Sequence, residues 1–109
     1  MTQLDVIRMI GDVLTEIDVA VGSMLPDDPN LVPLQDARRL LDARQLALSR
    51  QIFDDNTVRF QTAAEKLKAV NNDIRGTLRR LDDMVTLMTN VNRFLNAVTS
   101  FVGTVGGFV

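Results

Sequence analysis

The 109-residue sequence contains no histidine, cysteine, tryptophan or tyrosine. Those absences remove the usual nucleophile–base pairs, the imidazole and thiolate metal ligands, and most proton shuttles. Any chemistry would rest on carboxylates, lysine or arginine, and the sequence is read as non-enzymatic, with no cofactor, no bound metal and no small-molecule substrate. Without cysteine a disulfide-stapled scaffold is excluded. The start, Met1-Thr2-Gln3-Leu4-Asp5, has no basic segment and no apolar run before a cleavage site. A cleaved signal peptide is not expected, and the expected location is cytoplasmic.

Charge is unevenly spread around a net −2. Residues 1–33 carry one arginine against six acids, residues 34–93 carry eleven basic against eight acidic side chains, and residues 94–109 carry none. The arginines of the middle stretch, such as Arg38, Arg39, Arg79 and Arg80, are interleaved with Asp36, Asp42, Asp82 and Asp83. A nucleic-acid footprint needs a stripe of one sign, so mixed charge of this kind marks a solvated helix face instead.

Apolar spacing gives helices throughout. Ile7, Ile10, Leu14, Ile17, Val21 and Met24 follow steps of three and four, and Val6, Val13 and Ala20 widen the stripe. This predicts a helix over 3–24, capped by Thr2 and stopped by Pro26-Asp27-Asp28-Pro29-Asn30. Pro33 suits the first turn of a second helix, predicted over 33–53, whose stripe is Leu34, Ala37, Leu41, Leu48 and Ile52. Asp54-Asp55-Asn56-Thr57 then interrupts the pattern.

The strongest pattern follows. Phe60, Leu67, Ile74, Leu81, Met88, Leu95 and Val102 fall at intervals of seven, and Ala63, Val70, Thr77, Met84, Val91, Val98 and Val105 stand three residues after each. The repeat fits a coiled coil and a bundle core helix equally, and both mean helix–helix packing. A continuous helix over 57–102 would run roughly 65 Å at 1.5 Å per residue, against about 30 Å for each earlier helix. Either it projects and packs on another copy, or it breaks near Asn71-Asn72 and Gly76 and folds back as a fourth helix. The heptad frame crosses that region unshifted, which favours a kinked continuous helix. The expected fold is therefore all-α, one domain, a helical bundle of three long helices with the third broken into two as the alternative, and an extended heptad seam.

Around that seam the flanking row changes from Arg59, Lys66, Asp73 and Arg80 to Leu87, Phe94, Phe101 and Phe108. A hairpin of short helices would leave Phe94 and Phe101 exposed, so a partner is expected to cover them. The expected interface is Leu81, Met84, Leu87, Met88, Val91, Phe94, Leu95, Val98, Phe101 and Val102, used in a homo-oligomer or with another helical protein. The alternative is a membrane-active or secretion/filament-type helical protein, secreted without a cleaved signal or membrane-associated, whose apolar tail 94–109 meets a bilayer. That uncharged tail contains Gly103 and Gly107 at the spacing of close membrane-helix contact, yet it is shorter than the roughly 20 apolar residues of a spanning helix.

Three acidic pairs, Asp27-Asp28, Asp54-Asp55 and Asp82-Asp83, could in principle hold a divalent cation or divide acid and base roles. Turn and cap positions account for the first two, and adjacent helical carboxylates point about 100° apart. The helix, the Pro26-Asp27-Asp28-Pro29 turn and the second helix resemble the hairpin subunits of bacterial secretion needles. Such subunits end soon after their second helix whereas this chain continues, so the resemblance implies a secretion or filament role only as an alternative.

Overall fold

The structure, a computed structural model, describes residues 1–106; Gly107, Phe108 and Val109, the end of the uncharged tail, lie outside the described residues. It contains α1 (Gln3–Gly22), α2 (Leu31–Ser49), α3 (Val58–Ile74), one 3-10 turn (Thr77–Arg79) and α4 (Met84–Val105). Among the described residues there is no strand.

The ends of α1 follow from local chemistry. Thr2 Oγ accepts from the Asp5 amide at 3.1 Å while the Thr2 amide donates to Asp5 Oδ2 at 2.8 Å, a reciprocal capping box. Val6, Met9, Ile10, Val13, Leu14, Ile17 and Ala20 form its buried face. The row expected to widen the stripe is thus its centre, and Ile7, Val21 and Met24 sit at its half-buried edge. Beyond Gly22 the chain turns, with Asp28 Oδ1 accepting from the Asn30 amide at 2.8 Å.

The second helix spans 31–49 rather than 33–53. Pro33 still lies in its first turn, where a missing amide hydrogen costs nothing. Its early end comes from a contact that periodicity does not contain. The Gln3 amide nitrogen donates to the carbonyls of Leu48 (2.8 Å) and Gln51 (2.5 Å), and Gln3 Oε1 accepts from the Phe53 amide (3.0 Å). These bonds satisfy backbone groups that helix continuation would otherwise use. Phe53 then packs against the core, while Ile52, expected on the buried stripe, is 100% exposed.

The continuous third helix is also corrected: among the described residues there are four α-helices, with the break after Ile74. Thr77 Oγ donates to the Ile74 carbonyl at 2.6 Å, closing α3, and Asp83 opens α4 by accepting from the Thr86 amide (3.1 Å) and hydroxyl (2.8 Å). The molecule measures 45 × 23 × 21 Å, too short for the rod that an unbroken seam would make. Two antiparallel helices whose stripes happen to share a heptad phase produce the same spacing as one long helix, which is why the frame passes through the turn unshifted.

The fold is two antiparallel hairpins laid side by side. In the first, α1 packs on α2, with Arg38 paired to Asp18 at 2.7 Å. In the second, α3 packs on α4, with Arg93 3.5 Å from Asp73. The hairpins join chiefly through α2 against α4. Because Met1 reaches Gln61 and Glu16 reaches Arg79, α1 and α3 run parallel. Both hairpin turns therefore lie at one end, and the α2–α3 crossover lies at the other.

One core cluster runs through all four helices. Leu34, Leu41 and Leu48 of α2, Leu87, Phe94 and Phe101 of α4 and the α3 row Phe60, Ala64, Leu67 and Ile74 all belong to it, with α4 packed on both α2 and α3. The Phe60 and Phe101 rings meet edge to face, 5.4 Å between centroids at 78°.

Candidate interaction site

The ten seam residues divide sharply. Leu87, Val91, Phe94, Val98, Phe101 and Val102 are buried in the chain's own core, so the surface that was expected to need a partner is covered by α2 and α3. Met84, Met88 and Leu95 are half-buried against that core, and Leu81, in the turn before α4, is exposed. Residues 94–105 of the uncharged tail belong to α4, and no described helix is long and apolar enough to cross a membrane.

Exposed large apolar side chains lie at both ends of the bundle: Leu4, Leu46, Ile52 and Val58 near the α2–α3 crossover, with Leu40 midway along α2, and a second set at the turn end. Val19 in the last turns of α1, Leu25 in the first hairpin turn, Val32 at the start of α2, and Leu81 and Val85 beside the start of α4 are all exposed. The parallel course of α1 and α3 brings these segments to one end. Asp27, Asp28, Arg80, Asp82 and Asp83 surround them in sequence. The turn end therefore presents apolar side chains with charged residues beside them in sequence.

At least one member of each acidic pair is bonded to backbone. Asp28 and Asp54 each accept an amide two residues on, Asp55 Oδ2 accepts from the Gln3 amide at 2.9 Å, and Asp83 caps α4. The Asp83 carboxyl is held below its ordinary pKa by the hydroxyl and amide of Thr86, and Asp5 likewise by the amide and hydroxyl of Thr2. The Arg38 guanidinium is held above its ordinary value by its bond to Asp18. Among the described residues no three Asp or Glu side chains converge as metal ligands would. No protein-family model, curated protein or solved structure matches this chain.

Three polar side chains make contacts that apolar periodicity could not reveal. Gln3 and Gln61 tie the start of the chain to the crossover: the Met1 amino group donates to Gln61 Oε1 at 2.8 Å, and Gln61 Nε2 donates to the carbonyls of Met1 and Asp55. Asn90, buried on α4, donates to Thr77 Oγ at 3.0 Å and accepts from Arg93 at 3.3 Å, pinning the 3-10 turn to the helix. For Asn90 the available signal was its place inside a helix, since an interior helical Asn is disfavoured unless its amide is used.

An open groove of about 630 Å³ lies between α1 and α3, walled by Asp12 and Glu16 of α1 and by Asn71, Arg75 and Arg79 of α3 and the 3-10 turn. Glu16 and Arg79 pair across it at 3.2 Å.

Proposed function

We propose that this chain is a non-enzymatic helical interaction module that docks through the turn end of its bundle to a second copy or another helical protein. The observation that carries the reading is the collection of Val19, Leu25, Val32, Leu81 and Val85, all exposed, on segments that the two-hairpin topology brings to one end. Burying such side chains is worth about 25 cal/mol per Å² of apolar surface, and none of these residues is needed for the internal core. The heptad seam then serves assembly of the bundle, and its accessible edge, Met84, Met88 and Leu95, extends the turn end down α4. The sequence's lack of histidine, cysteine and tyrosine is what favours a binding role over a catalytic one in this reading.

The test separates surface from core. Leu25→Ser, Val32→Ser and Val85→Ser together should leave the helical circular-dichroism spectrum and the urea midpoint unchanged while abolishing self-association in sedimentation equilibrium, or capture of a helical partner where the chain alone is a monomer. Unchanged association in the triple variant would refute docking through this end. The membrane-active alternative draws on the single charge, Arg93, in α4. Its mark would be tight binding of the intact chain to anionic liposomes with loss of the native urea transition.

A further inference from the structure

The groove between α1 and α3 holds a polar group that the fold itself does not use. Asn71 lies in the last turn of α3, between the core residues Leu67 and Ile74 in sequence, and is only 8% exposed. Its counterpart Asn90 is equally buried and uses both its nitrogen and its oxygen, but the Asn71 side chain makes no hydrogen bond to any described residue. No sealed side-chain nitrogen or oxygen among the described residues lacks a partner, so the Asn71 amide is not walled in. It lines the groove, and the groove is where its donor and acceptor can be reached. An apolar residue there would favour the helix and the core alike. A buried amide whose capacity is left open calls for a partner from outside the chain.

The walls say what kind. Glu16 and Arg79 neutralise each other, but Asp12 on the α1 wall and Arg75 on the α3 wall have no ion-pair partner within 4.0 Å among the described residues. The groove thus keeps one free negative charge on one side, one free positive charge on the other, and an amide between core and opening. A monoanion or monocation would meet repulsion from one wall. A molecule with an ammonium group, a carboxylate and an amide suits all three, and the volume falls in the range of small-ligand sites. We propose that this groove binds a short zwitterionic peptide, of dipeptide to tripeptide size. In this arrangement its ammonium group meets Asp12, its carboxylate meets Arg75, and its peptide unit exchanges hydrogen bonds with Asn71. The groove adjoins the turn end but shares no residue with the docking surface proposed there, and the inference does not depend on that reading.

The experiment titrates the isotopically labelled full chain with alanylalanine and follows amide resonances by NMR. Saturable shifts are expected at the Asn71 side-chain amide and at Asp12 and Arg75. Acetylating the probe's amine or amidating its carboxylate should each weaken binding at least tenfold. Asn71→Leu should do the same while preserving the helical spectrum and the urea midpoint or raising it. Should that variant fold poorly, Asp12→Asn and Arg75→Gln, both on exposed side chains, must each weaken binding instead. No saturable shift, equal binding of the capped probes, or undiminished binding by the variants would overturn the proposal.

Discussion

Replacing Phe94 by alanine tests whether α4 is internal core or an intermolecular seam. Phe94 is fully buried between α2, α3 and the rest of α4. Phe→Ala substitutions in such sites cost about 3–5 kcal/mol through lost transfer energy and the cavity left behind. A domain of this size has only about 5–15 kcal/mol of total stability. One substitution should therefore remove about a fifth or more of it, and Phe94→Leu should cost much less. Leu87→Ser, Phe94→Ser and Phe101→Ser together should exceed the whole and unfold the chain. The amino-terminal hairpin should not survive alone, because Leu34, Leu41 and Leu48 of α2 would lose the core they share with α4. The chain has no tryptophan or tyrosine, so far-UV circular dichroism is the probe for urea unfolding, with sedimentation velocity in parallel. A loss below about 1 kcal/mol in Phe94→Ala, far under the range for a buried phenylalanine, together with a smaller sedimenting species, would refute the intramolecular core and restore the seam as an interface.

Thr57→Ala removes the acceptor for the Phe60 amide at the start of α3 and should cost about 1 kcal/mol in urea unfolding, with Thr57→Ser nearly neutral. Gly76 has φ −73° and ψ −23°, and an added Cβ meets nothing within 4 Å. Gly76→Ala should therefore raise stability by about 0.4–1 kcal/mol through the unfolded chain, a gain the urea midpoint would register. Asp5 and Asp83 have folded pKa values below their unfolded ones. Their contribution is complete above the ordinary aspartate value, near about pH 4, and is lost as pH falls through the lower folded values. The double variant Asp5→Asn and Asp83→Asn should show a shallower fall of urea midpoint on acidification than the wild type; an equal slope would place the acid sensitivity elsewhere.

Much of this molecule is determined by local sequence. The capping box of Thr2 and Asp5 and the turn at Pro26 to Asn30 need only neighbouring residues, so Thr2 as a cap and the proline–aspartate turn are legible in the sequence alone. The apolar rows of α1 and α2 report helical period directly, because burial selects residues on one face. Their exact edges are less legible: Ile52 keeps the period but loses the helix, since the Gln3 amide, distant in sequence, takes the carbonyls that end α2. The decisive choice, one long helix or two, is not encoded in the period at all. A heptad repeat states which residues share a face, not whether that face is covered by another molecule or by the chain turning back on itself. Tertiary contacts make that choice, through Asn90 holding Thr77 at the turn and Phe101 meeting Phe60 across the hairpin. The same holds for the groove. Asn71 reads in sequence as a weak point in a helix, and only the approach of α1 sets Asp12 opposite Arg75 and makes its unused amide part of a site.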